Sequence, residues 1–202
     1  MASKTDIVNR AFSKLGQTRV SNIDNDTTAN AIAMKDMYEI IRDDMLTAYP
    51  WNFAVTRTQL AKDATVPAWG YDNRYTLPSD FLALLEIKDN PQYTLETDKT
   101  SGGRYILTDA GSPIYIKYIK RVTNTGEFDP LFVEAFATRL AYEGCEFITQ
   151  SNTKKDLLFR DLQVSIERAY ASDAIQETPV FRQEDSWIVI RNQDSDDIDY
   201  NA

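Results

Sequence analysis

The chain has 202 residues, 43% of them hydrophobic and 26% charged, with a formal net charge of −9; this is the composition of an ordinary globular protein with room for one sizeable core. It contains no histidine and a single cysteine, Cys145, which excludes Ser-His-Asp and Cys-His chemistry, histidine-ligated zinc and an internal disulfide. The negative charge argues against a surface built to grip nucleic-acid phosphates. With no run of about eighteen apolar residues and no signal core after Met1 to Asp6, a cytoplasmic protein without a membrane partner is expected.

In chain order, Ile7, Val8, Ala11, Phe12 and Leu15 fall at helical spacing. They predict a short amphipathic helix over 5–15, capped by Thr5 or Asp6 and stopped by Gly16 in the left-handed conformation. A polar loop with Val20 and Ile23 as its buried points leads to Thr27 or Thr28, which caps a longer helix over 27–48. Ala31, Met34, Tyr38, Ile41, Met45 and Leu46 line its apolar face, and Lys35, Glu39, Arg42 and Asp43 the polar one.

Pro50 ends that helix, because proline lacks an N–H and also pushes Tyr49 out of the helical region. Around it, Tyr49-Pro50-Trp51-Asn52-Phe53-Ala54 concentrates aromatics where the hydrophobic period changes. Such a stretch is either a recognition loop or a fixed joint between a helical layer and a sheet. We favour a structural joint of Tyr49, Pro50, Trp51 and Phe53, since large aromatics usually supply core area.

The β region spans 53–120. Strands are expected near Phe53–Leu60, Arg74–Leu77, the second half of Phe81–Ile87, Tyr93–Glu96, Arg104–Leu107 and Ile114–Ile119. A Pro/Gly turn region carrying Trp69 and Tyr71, together with Pro78-Ser79-Asp80, Ser101-Gly102-Gly103 and Asp109 to Pro113, separates them. After Asp129-Pro130, a cap followed by a proline at the first helical position, helical spacing returns over 130–150 and 153–174. Leu131, Phe132, Ala135, Phe136, Leu140, Ala141, Cys145 and Ile148 form one face, and Leu157, Leu158, Asp161, Leu162, Ile166 and Ala169 the next. Cys145 reads as a small buried hydrophobe. The order of helices, strands and helices is that of an α+β fold, a helical bundle with an inserted antiparallel β-sheet.

Residues 176–202 form an acidic C-terminal arm, distinct from the domain of residues 1–175. Seven acids stand there against Arg182 and Arg191, so the arm holds −5 of the net charge and the rest of the chain −4. Within the arm lies a hydrophobic island, Trp187-Ile188-Val189-Ile190. It reads either as a strand returning to its own sheet or a solubilising tail, or as an arm that adds a strand or plug to a partner.

No catalytic constellation stands out. Glu39, Glu86, Glu143 and Glu146 are available as paired carboxylates, but among 31 acids any two will look like a pair. Gly102-Gly103 lacks the lysine and helix of a phosphate loop. No cluster emerges from the cations Arg10, Lys14, Arg19, Arg57, Lys117, Lys120, Arg121 and Arg139, and no cofactor is implied.

Val8-Asn9-Arg10-Ala11-Phe12-Ser13-Lys14-Leu15-Gly16, the acidic loop Asn22 to Thr27, the long helix, the Tyr49 to Ala54 stretch, Leu77-Pro78-Ser79-Asp80-Phe81 and Phe128-Asp129-Pro130 before a helical hairpin follow one another in a distinctive order and spacing. Together they resemble the tail tubular protein A, or head-to-tail adaptor, family of short-tailed bacteriophages over roughly residues 5–175. The resemblance implies a non-enzymatic virion protein, assembled in the host cytoplasm, that self-associates into a dodecameric ring. Such a ring sits beneath the portal protein, joins it to the tail nozzle or tube protein, and lets double-stranded DNA pass without sequence recognition. In adaptors of this kind a C-terminal arm reaches along the portal, which assigns portal docking to Phe181, Trp187, Ile188, Val189 and Ile190. The alternatives are a virion-associated peptidoglycan hydrolase, using Glu39 or Glu86, and a cytoplasmic interaction module.

Overall fold

A computed structural model describes residues 2–98 and 102–176. Helix α1, Lys4–Leu15, starts one residue before the expected 5–15, because its cap is Ser3 and not Thr5 or Asp6. The Ser3 hydroxyl accepts from the Asp6 N–H while the Asp6 carboxylate accepts from the Ser3 N–H, a reciprocal pair that satisfies two otherwise orphaned donors. Gly16 ends it with φ of 74°, a conformation that a side chain disfavours. Helix α2, Ala29–Ala48, is capped by Thr28.

The strands are β1 Val55–Leu60, β2 Asn73–Thr76, β3 Phe81–Ile87, β4 Tyr93–Thr97, β5 Arg104–Thr108 and β6 Ile114–Lys120. A 3-10 turn at Thr125–Glu127 leads to α3, Pro130–Thr149, and α4, Asn152–Ile175. The fold is α+β. Its β region divides into two three-stranded antiparallel sheets, with order β1-β6-β3 in the first and β2-β5-β4 in the second. The alternation of apolar residues specifies which face of a strand is buried but not which strand is its neighbour, and so the expected single sheet resolves as two. The whole of Phe81–Ile87 is strand, with irregular register against β6 at Phe81/Ala83 and Leu84/Glu86.

Two apolar clusters hold the molecule together. The larger lies among the helices and reaches the joint and Ile119; the smaller, with Leu60, Tyr75, Phe81, Ile106, Ile116 and Tyr118, lies between the two sheets. Strand β6 serves both. Ile114, Ile116 and Tyr118 point to the inter-sheet cluster, whereas Ile119, on the opposite face, enters the helical one. Helix α3 is central to the helical layer, packing on α1, α2 and α4. Its small residues allow this: a Cβ added at Gly144 would stand 2.7 Å from the Met34 Cε of α2.

Four face assignments from the sequence are corrected. Leu131, Leu157 and Asp161, expected on apolar inner faces, are exposed. Arg42, expected on the polar face of α2, is buried and pairs with Asp43 at 2.8 Å. Asp43 also accepts from Arg121 at 2.8 Å, so this carboxylate links α2 to the segment after β6 and draws the guanidinium of Arg42 inward.

Candidate functional site

The joint is built from the last turn of α2 outward. Tyr49 takes an extended conformation (φ −149°, ψ 142°), as the residue before a proline should. Trp51 folds back, and its Nε1–H donates to the Met45 carbonyl at 2.9 Å. That carbonyl belongs to the last turn of α2. Trp51 is 2% exposed. Its ring meets Phe132 edge-on at 5.0 Å, Tyr49 at 4.9 Å and Tyr170 at 5.2 Å; Phe53 in turn meets Phe132 at 5.0 Å and Phe128 at 5.7 Å. Residues of α2, α3 and α4 thus converge on one aromatic nest.

A polar latch closes the joint on its other side. The Asn52 N–H donates to Asp173 Oδ1 at 3.0 Å, and Asn52 Nδ2 donates to the Asp173 carbonyl at 2.8 Å. Asp173, in the final turn of α4, is buried. Nothing in the sequence pattern links positions 121 residues apart.

The surface offers shallow grooves. One, of about 480 Å³, lies on the outer face of the first sheet and is lined by Arg57, Gln59, Glu86, Lys88, Tyr115 and Lys117. Register creates it: Arg57 on β1 stands opposite Lys117 on β6, and Lys117 opposite Glu86 on β3. Lys88 lies over the Tyr115 ring, 5.4 Å from its centre. The sequence separates these cations by about thirty residues each, which is why no cluster was legible. The alternating strand Ile114–Lys120 could have marked Tyr115 and Lys117 as a shared outer face.

A second groove, of about 430 Å³, lies under the loop that carries Trp69 and Tyr71 and is floored by Arg74, Glu96, Tyr105 and Leu107. Trp69 is 86% exposed. The Arg74 guanidinium stacks on Tyr105 at 5.1 Å and is tied to Asp63 at 2.8 Å. Apolar side chains also stand uncovered on separate helices: Ile32 and Ile40 on α2, Phe147 on α3, and Leu157 and Phe159 on α4.

The candidate carboxylates do not come together. Glu86 lines the groove on the first sheet, and Glu39 a separate one beside Ile40, Asp43 and Arg121. Glu143 pairs with Arg139 at 2.9 Å and Glu146 with Lys155 at 2.7 Å; the hydrogen bond and charge of Lys155 hold the Glu146 carboxyl below the usual range. Among the described residues no group of three or more acids or cysteines is placed to hold a metal ion, and no helix is long and apolar enough to cross a membrane. Elsewhere, burial and then its bond to Asp80 push the Tyr118 hydroxyl up to about 12.

Phe181, Trp187, Ile188, Val189 and Ile190, the expected docking residues, lie outside the described residues. No known family model matches the chain, and no curated protein matches it in sequence.

Proposed function

We propose that this protein is a structural head-to-tail adaptor of a short-tailed bacteriophage virion, acting as one subunit of a dodecameric ring between the portal and the tail nozzle, through which double-stranded DNA passes. The observation that carries this reading is that large apolar side chains stand uncovered on separate helices of one layer. Ile40 of α2 is 73% exposed, and Phe147 of α3 is 58% exposed. A ring needs two different, complementary faces on each protomer, and apolar groups left in water are the ordinary raw material of such contacts. The ordered motifs shared with the adaptor family point the same way, as does the acidic balance, which spares sliding DNA the phosphate contacts that would hold it. The arm from Gln176 carries the portal contact, with Trp187 as its aromatic anchor.

Electron microscopy of the purified protein, alone and mixed with the portal of its virus, tests this. Twelvefold rings on the portal are expected, and loss of portal binding on deletion of the residues after Thr178. Full portal binding by the truncated chain removes the arm's role, and absence of any ring or portal complex overturns the adaptor reading.

A further inference from the structure

We infer that, in the subunit not engaged with a portal, the outer face of the first sheet is a docking surface for an acidic segment, and that this segment is the chain's own residues 177–202. Arg57, Lys88 and Lys117 converge on one groove. Among the described residues none of the three makes an ion pair, whereas most cations around the helices do. Arg57 and Lys117 are direct cross-strand partners, an arrangement that costs stability in an isolated sheet. Among the described residues Glu86 is the one acid lining the groove. The groove therefore carries a surplus of positive charge on a protein whose net charge is −9. It borders β1, which among the described strands pairs only with β6 and whose other side can accept a further strand.

The occupant follows from charge and reach. Residues 177–202 hold seven acids against two arginines, the densest negative stretch in the chain. The latch between Asp173 and Asn52 sets the end of α4 beside the start of β1. Arg57 lies five residues beyond Asn52, at most roughly 18 Å of extended chain. Glu184 and Asp185 lie eight and nine residues beyond Gln176, a span of up to roughly 26–32 Å. The acids thus reach the cations of their own subunit with chain to spare. Docking there brings the Trp187 to Ile190 island against the free edge of β1 and the exposed Tyr115 ring.

The test uses the full-length protein without portal, so its outcome is separate from that of the adaptor reading. A carbodiimide reagent joins carboxylates to lysine amines in direct contact, and peptide mass mapping locates the links. Links from Glu184, Asp185 or the later acids to Lys88 and Lys117 are expected, exceeding those to the half-buried Lys35 of α2 and falling in 1 M salt, where screening shortens to about 3 Å. Arg57→Glu, which keeps both reporter lysines, should abolish them. Should that variant fail to fold by circular dichroism, Glu184→Gln with Asp185→Asn asks the same question from outside the folded elements. Links spread evenly over all lysines, or unchanged by these substitutions, overturn the inference. Links found only between isotopically heavy and light chains overturn it in favour of a neighbouring copy's tail. Binding of a short DNA duplex that Arg57→Glu abolishes overturns it in favour of a nucleic-acid surface.

Discussion

The helical layer and the β region are held by different means. Around the joint every large aromatic has several neighbours: Phe132, for instance, meets Trp51, Phe53, Phe128 and Phe136. In the β region the inner faces of two small sheets share one cluster, while their outer faces carry Arg57, Tyr115, Lys117 and Trp69's loop in water; β4 is exposed along its whole length. Two tryptophans summarise the contrast. Trp51 is sealed in the joint and Trp69 stands in solvent. Folding energy is concentrated where helices and joint meet, and the sheets serve as a platform whose outer faces are available for binding.

The largest effect is expected from Trp51→Ala. Loss of the ring and of its bond to the Met45 carbonyl should cost about 3–5 kcal/mol, read from chemical denaturation; a cost near zero would mean that the joint is not part of the core. Next comes Asp173→Ala, which leaves the Asn52 N–H without its buried acceptor and should cost about 1–3 kcal/mol. A larger penalty than that for Trp51→Ala would move the centre of stability from the aromatic nest to the latch.

A smaller effect is expected from Glu134, which pairs with Arg10 and with Lys14 at 2.7 Å. Its burial alone would raise the carboxyl, but the bonds and charges of Lys14 and Arg10 outweigh it and hold the group below its ordinary 4.5. A depressed carboxylate contributes stability above the unfolded value and loses it as pH falls through the folded one. The melting temperature should therefore fall as pH drops below 4.5, with a shallower slope in Glu134→Gln. Equal slopes would show that α1 and α3 are held by packing alone. Smallest of all, Trp69→Ala should change stability by no more than about 0.5 kcal/mol, and a larger loss would close part of the face that the comparison leaves open.

Much of the helical layer was legible in advance, because a 3.6-residue period in α1, α2 and α3 states both the element and its inward face. Pro50 and Gly16 fixed two boundaries by backbone chemistry alone. The capping role of Ser3 was also readable, from its spacing to Asp6, but the apolar pattern drew the start of α1 to Thr5. What could not be read were relations between distant segments. The pairing of β6 with both β1 and β3, the meeting of Arg57 with Lys117, and the hold of Asp173 on Asn52 join positions 29 to 121 residues apart. A side-chain period of two carries no information about which strand lies alongside. Leu131 and Leu157 went astray for a related reason: helical spacing identifies an apolar stripe, not how far the neighbouring helices extend to cover it.

The latch also has a mechanical meaning. Tension applied to the chain beyond Gln176 enters α4 at its last turn, and within three residues it meets the paired bonds from Asn52 to Asp173. The load is handed there to the joint, where Trp51 and Phe53 pack on Phe132, so that a pull on the tail is shared with the aromatic nest before α4 can begin to unravel.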